Sequence, residues 1–202
     1  MTNPKAVNFL KKDPVLCKLI KNIGEFRIKI RKNRYKALIE AITYQQLTGF
    51  AASAIMNRFT KLYSRFPRPI DVLNTSDSKL RSTGLSKMKI RYIKELSRKI
   101  ERNELTINSI SKLDDEEIIE RLTQVKGIGR WTAEMFLIFS LGRLDVLPLG
   151  DLGLKKGIQQ AFSLPELPEP KQMEKIAEGW KPYRSVATWY LWKSLQKFDS
   201  IG

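Results

Sequence analysis

Residues 122–155 read LTQVKGIGRWTAEMFLIFSLGRLDVLPLGDLGLK, and this stretch decides the fold. Gly127 and Gly129 stand directly before a predicted helix, residues 131–141, that carries a long apolar face. Glycine lets the main chain approach a ligand closely, and the start of a helix offers unpaired N–H groups that suit a phosphate. Asp151 follows 22 residues after Gly129. The stretch therefore combines a turn that can bind anions with one carboxylate that is available for chemistry.

The charge of the chain points to a polyanionic partner. Its 202 residues contain 37 lysines and arginines against 21 acidic residues, which gives a net charge of +16 and an isoelectric point near 10.0. Nucleic acid is the usual partner of so basic a protein; the alternative is a solvated, lysine-rich surface. The length fits one compact unit with two lobes.

The composition also excludes several kinds of site. The chain has one cysteine and no histidine, so an internal disulfide, a Cys/His zinc site and a four-cysteine iron–sulfur cluster are excluded. No N-terminal signal and no run of about 18 apolar residues is found. We therefore expect an intracellular monomer that does not bind membranes, located in the cytoplasm or nucleoid of a prokaryote or in the nucleus of a eukaryote.

Several segments together resemble one enzyme superfamily. Residues 127–129 (GIG) and 148–151 (PLGD) resemble the hairpin and the Gly/Pro–Asp loop of the helix-hairpin-helix–Gly/Pro–Asp (HhH-GPD) DNA glycosylases. Residues 129–133 (GRWTA), 84–89 (GLSKMK) and 180–187 (WKPYRSVA) resemble the AlkA-type 3-methyladenine DNA glycosylases. A lone Gly-x-Gly before a helix would be a weak signal, but the resemblance extends over most of the chain.

The resemblance implies an all-α, two-lobed fold with the active-site cleft between the lobes. Residues 1–202 would form a single HhH-GPD domain without the β-rich N-terminal domain of AlkA. One lobe would contain residues 1–33 and 145–202. The other would contain residues 34–144, with the helix-hairpin-helix at 114–141.

Apolar spacing and capping signals predict the local structure around this stretch. We expect residues 1–13 to be irregular and helices over 35–46 and 49–66. A basic amphipathic helix is predicted over 86–102, and the last helix is predicted to start at Trp180.

The resemblance assigns catalysis to Asp151. Departure of a base leaves positive charge on the sugar, which a nearby carboxylate stabilises while it orients the attacking water. A base alkylated on a ring nitrogen already carries positive charge, so its departure needs no acid. Asp145 is the other acid close in sequence, and its apolar neighbours indicate a structural role. No cofactor is expected for catalysis.

The residue after Gly-x-Gly-Arg distinguishes two mechanisms. Glycosylases that also cut the strand have a lysine there, which forms a Schiff base with the sugar. Trp131 occupies that position here, so we predict a monofunctional hydrolase in which this ring stacks on a cationic base, an interaction worth about 0.5–2 kcal/mol. The other pocket candidates are Tyr44, Trp192, Met135 and Leu152; the last two stand where AlkA has aromatic residues.

The segment Gln45-Gln46-Leu47 resembles the part of the family that enters DNA. A base must leave the stack before it can be attacked, and an apolar side chain fills the gap. By resemblance Leu47 is this wedge, with Gln46 and Gln45 beside it; the alternative is a core residue at a helix junction.

Backbone phosphates would be bound by two turns of the chain. The candidates, implied by the resemblance, are Gly127, Gly129, Arg130, Ser86, Lys87 and Lys89; for the lysines the alternative is a solvated basic face. The main-chain carbonyls of Thr123, Val125 and Ile128 would hold a structural Na⁺ or K⁺.

Three functions stay open at this point. The first is a glycosylase that removes alkylated bases from double-stranded DNA. The second is a monofunctional glycosylase for a neutral deaminated or oxidised base. The third is a helix-hairpin-helix protein that binds damaged DNA without cutting, which predicts that Asp151→Asn leaves its function intact.

Overall fold

The structure, a computed structural model, describes residues 1–195. Every regular element in this part of the chain is helical, which confirms the predicted all-α class. None of these helices is long and apolar enough to cross a membrane. The α-helices are α1 (Pro4–Leu10), α2 (Pro14–Ile23), α3 (Arg34–Tyr44), α4 (Gly49–Lys61), α5 (Pro69–Leu73), α6 (Asp77–Ser82), α7 (Lys87–Glu101), α8 (Asp115–Thr123), α9 (Arg130–Phe136), α10 (Leu152–Ala161), α11 (Pro170–Ala177) and α12 (Arg184–Ser194). Short 3₁₀ turns occupy Ile110–Lys112 and Glu178–Trp180, and a π-helical turn occupies Leu137–Leu141.

The chain forms two compact units. The central unit is the contiguous segment Arg31–Phe136. The terminal unit combines Met1–Ile30 with Leu137–Gly202, of which the structure describes residues up to 195. The glycine turn at 127–129 therefore belongs to the central unit, and Asp151 belongs to the terminal unit.

Helix α3 forms the centre of the central unit. Its residues Leu38, Ile39 and Ile42 are completely buried, at the three- and four-residue spacing that places side chains on one face of a helix. Helices α4, α7 and α9 pack against it. Full burial of such a side chain stabilises the fold by about 1.5–3 kcal/mol, so this face fixes the helices that carry the turns described below.

Helix α12 forms the centre of the terminal unit, where α1, α2 and α10 pack against it. The contact between α10 and α12 depends on Gly157. A Cβ atom at this position would lie 2.8 Å from the carbonyl oxygen of Leu191 and 3.0 Å from its Cβ. The two backbones are thus close together, and this brings the start of α10 beside α12.

The prediction that residues 1–13 are irregular was wrong. Asn3 caps α1 by accepting a hydrogen bond from the backbone N–H of Ala6 at 2.9 Å, and Pro4 stands at the first helical position. This pair is a favourable helix start. Ala6 and Leu10 are buried, which holds the short helix in place.

The predicted ends of three helices also need correction. Helix α3 ends at Tyr44 rather than at residue 46, because Gln45 has an extended ψ of 130° and Gln46 has a left-handed φ of 56°. Helix α4 ends at Lys61 rather than at residue 66. Helix α12 begins at Arg184 rather than at residue 180, because Lys181 has the extended backbone (ψ 138°) that is favoured in the residue before a proline.

Candidate active site and nucleic-acid interface

Asp151 is the N-cap residue of α10. Its Oδ1 atom accepts a hydrogen bond from the backbone N–H of Leu154 at 2.5 Å and another from the indole N–H of Trp192 at 2.7 Å. Its backbone N–H donates to the carbonyl of Pro148. The side chain is 8% exposed. Both donors and the positive end of the helix stabilise and orient a carboxylate at this position.

Trp192 has a different environment from the one predicted for a base-stacking residue. Its ring is 3% exposed and stacks on Phe139, with the centroids 5.9 Å apart and the planes at 15°. Because the ring is buried against the π-helical turn, it offers little surface to a base. We therefore correct the prediction that Trp192 stacks on a base: the residue is buried, and its indole N–H donates to Asp151.

Asp145 is structural, as predicted. Its carboxylate accepts hydrogen bonds from Nε and Nη2 of Arg184 at 2.8 and 3.0 Å, and Oδ1 also accepts from the backbone N–H of Arg184. The carbonyl of Asp145 accepts from Nη2 as well. This two-point ion pair fixes the loop before Asp151 to the first turn of α12.

The glycine turn joins α8 to α9 as a helical hairpin in the central unit, and the two helices pack together. Gly127 has φ +88°, a conformation that side chains with a Cβ rarely adopt. A Cβ atom at Gly127 would lie 2.7 Å from two ring carbons of Tyr92. Gly129 is exposed and has open space around it. Gly127 therefore determines the shape of the turn, and Gly129 leaves its backbone accessible to solvent.

Arg130 follows this turn but is already paired. Its guanidinium donates to both carboxylate oxygens of Glu116, at 2.5 and 3.0 Å, and to Glu134 at 3.2 Å. The hydrogen bonds from Arg130 lower the pKa of Glu116. The arginine side chain is 58% exposed, and exposed ion pairs are weak, so its predicted contact with phosphate stays a prediction.

The segment 86–89 separates into an exposed part and a buried part. Ser86 caps α7 by accepting a hydrogen bond from the N–H of Lys89 at 3.2 Å, and Ser86 and Lys87 are exposed. Lys89 is 9% exposed, and burial lowers the pKa of its ammonium. Its Nζ donates to the carbonyls of Thr43 and Gln45. The prediction that Lys89 binds phosphate was therefore wrong, because its donors face the interior.

Residues 45–47 also differ in their exposure and contacts. Leu47 is 39% exposed, so it is not a core residue of its unit, and its role as a wedge stays a prediction. Gln46 is exposed as well. Gln45 instead donates its side-chain N–H to the carbonyl of Gly127 at 2.6 Å. This bond directs Gln45 toward the hairpin, and its predicted place beside the wedge stays a prediction.

The remaining pocket candidates lie at the surfaces of their own units. Tyr44 is 40% exposed, with its hydroxyl 2.8 Å from that of Ser53, and Trp131 is 47% exposed. Met135 is half-buried in the central unit, and Leu152 in the terminal unit is exposed.

Phe50 is a surface residue that the sequence did not single out. It is 88% exposed in the first turn of α4, three residues after Leu47. The sequence could not show that Phe50 is exposed, because the alanines that follow it would fit a helix with either of its faces buried. The turn before α4 and the start of α4 therefore present one apolar side chain each to solvent, Leu47 and Phe50.

These features define a class of protein: an all-helical chain in which a helix-hairpin-helix precedes a Gly/Pro loop and a buried capping aspartate. A model of the family described as "HhH-GPD superfamily base excision DNA repair protein" matches residues 39–182. The chain belongs to this superfamily.

Relatives and solved structures narrow the comparison. The chain is 40% identical over 193 residues to DNA-3-methyladenine glycosylase 1 of Schizosaccharomyces pombe, covering 91% of this chain and 82% of that protein. It is similar to the structure of a DNA-3-methyladenine glycosidase from Bacillus halodurans, with a TM-score of 0.88, 36% identity, and coverage of 98% of this chain and 93% of that one. A 3-methyladenine DNA glycosylase of Schizosaccharomyces pombe in complex with abasic DNA has a TM-score of 0.81 and 38% identity, with 95% and 97% coverage.

Proposed function

We propose that this protein is a monofunctional DNA glycosylase that hydrolyses the N-glycosidic bond of alkylated bases in duplex DNA, the first step of base excision repair. The observation that carries the proposal is the buried carboxylate of Asp151, held by Trp192 and Leu154 in a chain of the HhH-GPD superfamily. The names of its relatives support bases of the 3-methyladenine type. We extend the proposal to 7-methylguanine, which is also methylated on a ring nitrogen.

Asp151 performs the chemistry. As the bond between base and sugar breaks, the sugar acquires positive charge, which the carboxylate stabilises electrostatically. The same carboxylate orients the water that attacks the sugar. Its Oδ1 accepts from Trp192 and Leu154, so the side chain needs little reorganisation during the reaction.

Recognition of the base is assigned to exposed aromatic side chains. Trp131 and Tyr44 would stack on the extruded base, whose positive charge favours the face of an aromatic ring. Met135 and Leu152 would add apolar contacts but no aromatic ring. Because fewer rings are available for stacking, we expect a narrower range of bases to be bound. The absence of lysine at position 131 removes the Schiff-base route, so the reaction ends at the abasic site.

DNA binding is assigned to exposed groups of the central unit. The amides of Gly127 and Gly129 and the first turn of α7, with Ser86 and Lys87, would bind backbone phosphates. Leu47 would enter the stack at the vacated position, with Gln46 next to it. The net charge of +16 supports attraction to the phosphates.

A monovalent cation at the hairpin is a further part of the proposal. Thr123 ends α8, and the last carbonyls of a helix lack partners within it. Main-chain oxygens at this negative helix end fit Na⁺ or K⁺. The carbonyls of Thr123, Val125 and Ile128 would hold the ion and stiffen the turn. For the residues described, no cluster of three or more acidic, cysteine or histidine side chains could hold a metal.

The test is release of base from methylated duplex DNA by the wild type and by Asp151→Asn. Asparagine also caps a helix, so this variant should fold, and we expect base release to fall by at least about a hundredfold. Asp13→Asn is a matched control. Asp13 caps α2 through Oδ1, and its Oδ2 accepts from the indole N–H of Trp180 at 3.0 Å, a similar arrangement without a proposed catalytic role.

Alkali cleaves a DNA strand at abasic sites. Samples with and without alkali treatment therefore show whether the protein itself breaks the strand. Base release by the wild type and by Asp13→Asn, loss in Asp151→Asn, and breaks that appear only after alkali would support the proposal. If neither wild type nor variant releases methylated bases while both bind duplex, the proposal is wrong. Activity on deaminated or oxidised bases would then favour the neutral-base glycosylase, and inactivity on every base would favour a damage-binding protein.

A further inference from the structure

Lys89 is a buried cation that the proposed chemistry does not use. Its Nζ donates to the carbonyl oxygens of Thr43 at 2.6 Å and Gln45 at 2.8 Å, and it is 9% exposed. No carboxylate pairs with it in residues 1–195. A buried charge is costly unless it is hydrogen-bonded. At the C-terminal end of α3, the ammonium donates to carbonyls that have no partner within the helix. It also lies at the negative end of the helix dipole.

The backbone that follows these carbonyls has an uncommon conformation. Gln46 has φ 56° although it is not glycine. Such a residue persists only where its surroundings hold it. The two bonds from Lys89 reach the residue directly before Gln46 and the residue three positions before it. This reversal of the chain turns Leu47 outward, where it is 39% exposed.

The same turn is tied to the hairpin. The side chain of Gln45 donates to the carbonyl of Gly127 at 2.6 Å. Lys89 itself belongs to the first turn of α7, where Ser86 caps the helix. One buried lysine thus connects three parts of the central unit to which DNA binding is assigned: the 45–47 turn, the start of α7 and, through Gln45, the hairpin.

We infer that Lys89 is a positioning residue for base extrusion: it holds the 45–47 turn so that Leu47 enters the stack in register with the phosphate-binding turns. The inference rests on the proposed function. Since Lys89 acts on the wedge rather than on the bond that breaks, its removal should impair extrusion of a paired base. Hydrolysis of a base that is already unpaired should be much less affected.

The experiment compares Lys89→Met, which keeps the length of the side chain and removes the ammonium, with Lys87→Met, which removes one exposed charge from the same helical turn. Each protein acts on two duplexes with 7-methylguanine at one position, opposite cytosine or opposite an abasic-site analogue. A 2-aminopurine next to the lesion reports unstacking by fluorescence. Thermal unfolding of each variant shows that it is folded.

For Lys89→Met we expect base release opposite cytosine to fall by at least about tenfold, the scale of a lost hydrogen bond to a charged group. The loss should shrink on the abasic-site duplex, and the 2-aminopurine signal should fall with it. Lys87→Met should weaken both reactions equally through reduced binding. Gln45→Ala cuts the link to the hairpin without removing a buried charge, and it should reproduce the pattern even if Lys89→Met does not fold.

Equal losses on both duplexes, or unchanged release by folded Lys89→Met, would overturn the inference; if that variant does not fold, unchanged release by Gln45→Ala would overturn it. Failure of the proposed function gives a different result, because the wild type would then release no base from either duplex.

Discussion

The hairpin allows a stability prediction in which two neighbouring glycines behave oppositely. Gly127 has φ +88°, and a Cβ atom there would lie 2.7 Å from two carbons of the Tyr92 ring and closer still to a third. At Gly129 no atom lies within 4 Å of an added Cβ. Gly127→Ala should therefore destabilise the protein, whereas Gly129→Ala should change its stability very little.

The expected magnitude has two parts. Left-handed backbone costs an alanine about 1–2 kcal/mol. Displacement of a packed side chain costs about 1–3 kcal/mol more. Together they reduce the free energy of unfolding by about 2–5 kcal/mol, equivalent to about 4–20 °C in Tm for a chain of this size. Gly129→Ala should stay within about 0.5 kcal/mol of the wild type.

Urea unfolding followed by circular dichroism measures both variants. Tyr92→Ala removes the ring that would collide, so the loss from Gly127→Ala should be smaller by about 1–3 kcal/mol in a Tyr92→Ala background than in the wild type. Equal stability of the two glycine variants would refute the reasoning. So would a loss at Gly127 that does not depend on Tyr92, because the collision would then contribute nothing.

Three further predictions concern the terminal unit and DNA binding. Trp192→Phe keeps a ring and removes the hydrogen bond to Asp151, worth about 1.5–3 kcal/mol; single-turnover base release should fall by about 10–150-fold with little change in duplex affinity, and an unchanged rate would contradict the positioning role. Asp145→Ala leaves Arg184 without its ion pair and should lower Tm measurably, whereas Asp145→Asn, which keeps one acceptor, should lower it less; equal shifts would contradict this. Duplex affinity should fall steeply with salt, linearly on logarithmic axes; fluorescence anisotropy measures the slope, and a flat response would exclude phosphate contacts.

Local sequence signals were sufficient for many of the elements. Asp13-Pro14 marks the start of α2, and the structure places the cap and the proline there. Ser76 caps the short helix α6 by accepting a hydrogen bond from the N–H of Lys79. The glycine turn joins two helices as expected. Each of these depends on residues within one or two turns of the chain, which is the distance over which capping and periodicity act.

The long-range contacts could not be predicted in this way. Lys89 resembles its exposed neighbour Lys87 in sequence, and only the packing of α7 against α3 buries one and leaves the other in solvent. Trp192 meets Asp151 because α10 and α12 pack closely, at a separation of 41 residues. Tertiary packing decides such contacts, and periodicity carries no information about which partner a helical face will meet.

Because the terminal unit is discontinuous, its first helices are synthesised long before the helix on which they pack. The hydroxyl of Tyr190 donates to the carbonyl of Gly24, 166 residues earlier, and the indole of Trp180 donates to Asp13. At about 5–20 residues per second, the ribosome needs roughly 8–30 s to bridge this distance. The central unit is contiguous and can fold during that interval. The faces of α1 and α2 that pack against α12 stay uncovered until α12 has been synthesised.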